Sequence, residues 1–170
     1  MSDITAQPQT FHITPVALEQ QAHAYALLYL LDHYASGPMG GSNALDENVK
    51  ATLIPALAAR SDYIGFLAFS NALPVGLINC FEGFSTFAAR PLLNIHDIIV
   101  HTDFHGQGIG TLLLQRTEQA AKQKNYCKLT LEVLAHNQAA LQLYRRAGFQ
   151  PYQLTEAAGQ ALFMHKIIPD

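Results

Sequence analysis

The 170-residue sequence is short of charge, of cysteine and of uninterrupted apolar runs, and each shortage excludes something. Charged residues make up only 14% and the net charge is -3, so the basic face of a nucleic-acid-binding module is not expected. Two cysteines, Cys80 and Cys127, stand too far apart for a CxxC or zinc-finger spacing and point to a reduced, cytoplasmic setting. The most apolar window, Tyr63 to Phe81, is broken by Ser70, Asn71 and Pro74, which reads as two strands and a turn and not as a membrane span. No basic segment leads into an apolar one over Met1 to Thr10, so no signal peptide is expected. There are eight histidines but no H-E-x-x-H: His101 and His105 fall in a loop, and His12, His23, His33, His136 and His165 are scattered. No metal site is expected. Glycine (11) and proline (8) are too few for a low-complexity chain.

What is present suits one α/β domain. Hydrophobic residues reach 49%, enough for a core. Phe11 to Thr14 is a short strand. Pro15 suits a first helical position, and apolar residues at helical spacing (Leu18, Ala22, Tyr25, Leu28, Tyr29) carry a helix to about Tyr34. A glycine-rich loop follows, then a helix over Leu45 to Ala59, capped by Asn43 and bent or ended early by Pro55. Tyr63–Phe69 and Val75–Phe81 read as a hairpin joined by Asn71-Ala72-Leu73-Pro74, and Leu92–Val100 as a third long strand. A helix from about Gly108 to Lys124 carries the pair Glu118 and Lys122. The pattern continues with a strand Lys128–Leu134, a helix from Asn137 to Ala147 stopped by Gly148, and a closing strand Ala161–Ile168. The hairpin makes the sheet mixed and mostly antiparallel, with helices flanking it.

Charge divides unevenly along the chain. Residues 1–85 hold two bases, Lys50 and Arg60, against seven acids, whereas residues 86–170 hold eight bases against six acids. Two different ligands, or the ordinary wandering of surface charge, both account for this.

The most specific local signal follows the third long strand, where His105-Gly106-Gln107-Gly108-Ile109-Gly110-Thr111 opens a helix. Glycines admit positive φ and close approach of the backbone to a ligand. The free N–H groups and the dipole of a helix start favour an anion, so the pattern points to a phosphate or pyrophosphate. Tight strand–helix packing is the competing account. The spacing G-x-G-x-G is neither the dinucleotide fingerprint G-x-G-x-x-G nor a P-loop, which disfavours nicotinamide and nucleoside triphosphate sites.

These residues resemble the acetyl-CoA signature Q/R-x-x-G-x-G/A of the GNAT family of N-acetyltransferases, with His105 in place of the usual Gln or Arg. A second block strengthens the likeness: Asn137-Gln138-Ala139-Ala140-Leu141-Gln142-Leu143-Tyr144-Arg145-Arg146-Ala147-Gly148-Phe149 is similar to the family's closing motif N-x-x-A-x-x-L-Y-x-x-x-G-F in full. The resemblance implies a single N-acetyltransferase domain over residues 1–170. Its variable acceptor-binding helices would lie at about 15–59 and its acetyl-CoA-binding core at about 63–150.

The resemblance also implies roles. Coenzyme contacts would come from the backbone of Ile98, Ile99 and Val100, from His105, Gly106, Gln107, Gly108, Ile109, Gly110 and Thr111, and from Asn137 and Tyr144. A backbone N–H of Ile98–Val100 would hold the developing oxyanion. Tyr144, otherwise a core tyrosine on the stripe Ala140, Leu143, Tyr144 and Ala147, would be the general acid for the leaving thiolate. Asn137 is an N-cap that can also meet the pantetheine arm. Strict alternation puts Asn94, His96 and Ile98 on one face of their strand and Asp97 on the other. His96 is a candidate base for the incoming ammonium, since imidazole titrates near about 6.5; a polar residue without chemistry is the competing reading. Polyamine acetyltransferases of the family carry a glutamate matching His96 and an aspartate matching Asp97, so Asp97 is the fallback base or a support for nearby loops. The segment Phe81 to Val100, with Arg90-Pro91-Leu92-Leu93, somewhat resembles the diamine acetyltransferase branch.

The expected protein is therefore an acyltransferase that uses acetyl-CoA as cosubstrate and no metal. It would acetylate a small cationic primary amine by direct attack in a ternary complex. Acetylation of a protein N-terminus or lysine, or a catalytically inactive coenzyme-A-binding regulator, are the alternatives. A cytoplasmic homodimer without nucleic-acid or membrane partners is implied.

Overall fold

The computed structural model describes residues 10–153, 155, 157 and 159–168, which divide into two compact units, residues 1–131 and 132–170. The first unit is built on a five-stranded sheet: β1 (Phe11–Pro15), β2 (Tyr63–Ser70), β3 (Leu73–Ser85), β4 (Arg90–Val100) and β5 (Leu129–Leu131), in spatial order β1-β2-β3-β4-β5. The first three pairings are antiparallel and the last is parallel, as the mixed sheet expected from the hairpin requires.

Helices α1 (Gln21–Ala35) and α2 (Glu47–Ala58) cover one face. Ala26, Leu27 and Leu30 of α1 and Leu57 of α2 bury against Leu67, Leu77 and Ile99 of the sheet. Helix α3 (Ile109–Gln123) covers the other face, where a side chain at Gly76 would meet Ile109 and Leu113. Glu118 and Lys122 form the expected ion pair on α3, at 2.6 Å.

Several boundaries differ from the sequence expectation, each for a local reason. Pro15 does not start α1. It ends β1 opposite Phe66, on an edge strand where a missing N–H costs no ladder bond. Asp46, not Asn43, caps α2, its carboxylate accepting from the Asn48 N–H at 2.8 Å. Pro55 does not cut α2 short; it lies in the final turn, where one lost bond is tolerated. The hairpin turn is only Asn71-Ala72, with Asn71 at φ 55°, because a register shift at Ala68/Phe69 leaves room for Pro74 within β3. Strand β5 stops at Leu131, short of the expected Leu134.

The second unit carries α4 (Gln138–Arg146). The closing strand expected over 161–168 is not formed, and Leu162, Phe163, Met164, Ile167 and Ile168 are exposed. Among the described residues, the extended pairing there is one isolated bridge, Gln153 with Gln160. An apolar segment makes a strand only where a partner edge receives it.

Candidate active site

Strand β4 positions the first group of candidate residues. Its register against β3 slips between Asn79 and Cys80: Asn79 faces Asp97 while Cys80 faces Ile95, so His96 is an extra residue without a partner. Such a bulge bends the strand and re-aims side chains. Before it, Leu92 and Asn94 pair with residues of the α1/α2 face; beyond it, Asp97 and Ile99 do. The expectation that His96 and Asp97 point to opposite faces is therefore corrected. The ring of His96 is exposed and meets Phe81 edge-on at 5.6 Å, on the same face as Asp97.

Asp97 is held from beneath. The Tyr63 hydroxyl donates to Asn79 Oδ1 at 2.8 Å, and Asn79 Nδ2 donates to Asp97 Oδ2 at 3.0 Å. Asn79 is 3% exposed, so its amide is desolvated and its direction is fixed by these two bonds. Burial, and then the charges of Cys80 and Asp97, push the Tyr63 phenol well above its ordinary value. Burial first, then the Asp97 charge, also raises Tyr34 of α1, so this carboxylate faces the helical layer. The Phe81 ring lies beside Tyr63 at 5.7 Å, with the Arg60 guanidinium 5.0 Å over its face. Arg60 is matched by a two-pronged bond to Asp62 at 2.9 and 2.6 Å. Next to these residues a cavity of about 330 Å³ is lined by Val16, Leu18, Glu19, Leu57, Ala58, Arg60 and Tyr63.

The same bulge marks where β4 loses a neighbour. Strand β5 pairs with Leu93, Asn94 and Ile95 and no further, so among the described residues β4 from His96 to Val100 has a strand partner on the β3 edge alone. His101 N–H donates to the Val75 carbonyl at 2.9 Å, so in the alternating antiparallel ladder Ile99, opposite Leu77, turns its backbone groups to β3. Ile98 and Val100 turn theirs to the open edge, where they are available to a ligand; the Ile99 side chain is in the core at 2% exposure. The strand then runs into a 3-10 turn, Thr102–Phe104, and the glycine segment.

Gly106 and Gly108 take φ of 75° and 84°, the left-handed region that an L side chain resists. A side-chain carbon at either would meet nothing within 4 Å, so the surrounding space is open. Gly108 is the N-cap of α3, and the N–H groups of the helix's first turn have no intrahelical partner. His105, Gln107 and Thr111 are exposed, whereas Ile109 and Gly110 are buried, so Ile109 can offer a ligand its backbone only. The His105 ring is engaged with the Val100 carbonyl through Nε2 at 2.9 Å. This backbone fits an anionic diphosphate: open, donor-rich and at the positive end of a helix dipole.

Asn137 and Tyr144 lie in the second unit. Asn137 caps α4, its side chain accepting from the Ala140 N–H at 3.1 Å. The other end of α4 is a Schellman stop. Phe149 N–H donates to the Tyr144 carbonyl at 2.9 Å and Gly148 N–H to the Arg145 carbonyl at 3.1 Å, with Gly148 at φ 89°. The Tyr144 and Phe149 rings pack at 5.9 Å, the apolar contact this stop usually carries. Tyr144 is 7% exposed, but Ala147, expected on the buried stripe, is exposed because it has become the C-cap.

Sequence reasoning missed Tyr63, Asn79 and Arg60. They lie 16 to 18 positions from their partners Asn79 and Asp97, or act through a ring on another strand, and only strand register connects them. Among the described residues, no His, Cys, Asp and Glu group is placed to hold a metal ion, and no helix is long and apolar enough to cross a membrane.

Comparison with known proteins supplies the class. Residues 42–149 match the model of the acetyltransferase (GNAT) family, and the chain belongs to that family of enzymes. Among curated relatives, the thialysine N-epsilon-acetyltransferase of Bos taurus is 36% identical over 121 residues, covering 62% of this chain and 69% of the relative. An uncharacterized N-acetyltransferase of Methanocaldococcus jannaschii is 33% identical over 92 residues, 54% of this chain, and the match spans only 41% of that protein. A solved structure of a probable acetyltransferase superposes with a TM-score of 0.76 at 21% identity, covering 91% of this chain and 99% of the other.

Proposed function

We propose that this protein transfers an acetyl group from acetyl-CoA to a primary amine, and that the acceptor is a small cation. The observation that carries the reading is the run of β4. One strand holds the His96–Asp97 bulge, then an edge open from His96 to Val100, then the left-handed glycine turn before α3. An acyl thioester on that edge would have its diphosphate at the glycine turn and its carbonyl within reach of backbone N–H groups, beside a base. His96 takes the proton from the acceptor ammonium, because only the neutral amine attacks. Asp97, oriented by Asn79, attracts the cation. Tyr144 returns a proton to the departing thiolate, whose unperturbed pKa of about 8.5 makes such help useful. Direct attack in a ternary complex fits the absence of Cys80 and Cys127 from the motifs, and Cys80 is fully buried. The relative named for the ε-nitrogen of thialysine supports an amine on a small molecule. The same reading carries a cytoplasmic homodimer.

The test is a panel of diamines, polyamines, amino acids and short peptides with acetyl-CoA, reading free thiol and product mass. Acetylation of small cationic amines at far higher kcat/KM than peptides is expected. Preference for peptide N-termini or lysines would replace the acceptor assignment, and coenzyme A binding without turnover of any amine would replace the enzyme with a regulator.

A further inference from the structure

Two histidines outside the site just described stack face to face at the end of β4. The rings of His33, from α1, and His101 lie 4.1 Å apart with 14° between their planes, and Tyr29 continues the stack beyond His101 at 5.8 Å. Each imidazole accepts a backbone N–H of the turn that leads to Gly106. Thr102 N–H donates to His33 Nε2 and Asp103 N–H to His101 Nδ1, both at 3.3 Å. With Nδ1 accepting, the neutral His101 carries its proton on Nε2, which donates to the Tyr29 hydroxyl at 2.9 Å. The 3-10 turn Thr102–Phe104 is closed further by Phe104 N–H to the His101 carbonyl at 2.9 Å, and by Gln107 Nε2 to the Asp103 carbonyl at 3.5 Å.

We infer that His33 and His101 are positioning residues that, as neutral hydrogen-bond acceptors, fix the glycine turn against helix α1 and so hold it in the coenzyme-binding conformation. This rests on the assignment of that turn to the coenzyme. The bonds require a lone pair on each accepting nitrogen, and protonation puts a hydrogen there instead. Two stacked imidazolium rings would also repel across 4.1 Å. The charged and titratable groups facing the pair are the Asp103 carboxylate, 3.8 Å from His101 Nδ1, His105 from the turn, and Tyr29 from α1. Burial first, then the His101 and His105 charges, lower the affinity of His33 for a proton, and Asp103 opposes them in part. A proton taken up on His33 Nε2 would remove the acceptor of the Thr102 N–H and so release the turn from α1.

The accepting nitrogens can be replaced without the titration. Gln at position 33 places an amide oxygen near the position of Nε2, and Asn at 101 near that of Nδ1. Calorimetry with coenzyme A should show about tenfold weaker binding for His33→Ala/His101→Ala at pH 8, as two net hydrogen bonds allow. His33→Gln/His101→Asn should restore affinity to within about twofold. Between pH 8 and 5.5 the unmodified protein should lose about tenfold more affinity than the Gln/Asn variant, which carries the titration of the ligand's own phosphates. Amide hydrogen exchange of the free, unmodified protein should show protection factors at Thr102 and Asp103 that fall in the same pH range. Identical pH profiles for the two proteins, or affinity that rises in acid in the unmodified protein alone, would overturn the inference. The latter would make the rings cations for the anion. Protected amides in a protein that never binds coenzyme A would instead overturn the reading of the turn while leaving the histidine tether standing.

Discussion

Gly108→Ala measures what the left-handed turn contributes. Gly108 stands at φ 84°, ψ 0°, and a Cβ there meets nothing within 4 Å. Clashes with neighbours therefore add nothing, and the cost is that of an L residue in the left-handed region, about 1–2 kcal/mol. If the turn keeps its shape, the strain appears as lost stability. For a chain of this size that is a fall in Tm of about 2–8 °C. If the turn relaxes, stability returns but the first N–H groups of α3 swing away, and coenzyme binding must supply the difference. The same 1–2 kcal/mol then appears as a Kd weaker by about 5–30-fold. Because free, folded and bound forms make a closed cycle, the two losses sum to about 1–2 kcal/mol however they divide.

Thermal unfolding without ligand and calorimetry with coenzyme A measure the two parts. Gly108→Asn should show a smaller sum, since Asn enters the left-handed region more readily. Gly108→Asp should match Asn in stability, since it enters the left-handed region as readily, yet bind more weakly than either variant, because its carboxylate sits where a diphosphate is expected. An Ala variant with unchanged Tm and Kd would refute the geometric argument. Equal binding by the Ala and Asp variants would remove the anion from this turn.

The remaining predictions are these. His96→Ala should lower kcat/KM by about 10²-fold or more at pH 7, and less at high pH, where the amine is already neutral; a flat and undiminished profile would exclude His96 as the base. Tyr144→Phe keeps the ring against Phe149, so coenzyme affinity should hold while kcat falls by about 10²–10⁴-fold; full turnover with chemistry rate-limiting would leave Tyr144 a packing residue. Burial pushes the Cys80 thiol up to about 12, whereas Cys127 is partly exposed. At pH 8 the native protein should react with one equivalent of a thiol reagent and the unfolded protein with two; two fast thiols in the native state would contradict the burial.

The order of elements through α4 was legible because each is encoded locally. Helices α2 and α4 start on the polar caps Asp46 and Asn137, α3 starts at Gly108, α4 stops at Gly148, and the hairpin carries Asn71. Element ends were less legible, since Pro15 and Pro74 obey pairing and not propensity: one lies on an edge strand and the other follows a register shift. The expected last strand shows the limit most plainly. Residues 161–168 are apolar except for His165 and Lys166, a composition that suits a strand, but the partner edge that would make it one is not part of that composition.

The site was half legible for a related reason. The glycine turn and the Asn137-to-Phe149 block are contiguous, so their chemistry can be read from neighbours in the chain. The block also shows how a motif can be structural and functional at once: the Asn137 cap and the Schellman stop at Gly148 account for its polar and glycine positions without any ligand. His96 and Asp97 were read wrongly in one respect, because period-two alternation forces neighbours onto opposite faces and so offers them as alternatives. The bulge that overrides it is set by pairing with β3, where Asn79 and Cys80 take Asp97 and Ile95 and leave His96 over. Once on one face, the two are no longer rivals. His96 is exposed and braced by one ring edge, as a group that must accept and release a proton should be. Asp97 is held by a buried amide, itself held by Tyr63, as a fixed anion for a cationic acceptor should be. Under the proposed reaction Asn79→Leu should therefore raise the KM of the amine more than it lowers kcat, the reverse of His96→Ala. Steady-state kinetics of both variants on the best acceptor would separate the roles, and equal kcat defects in the two would merge them again.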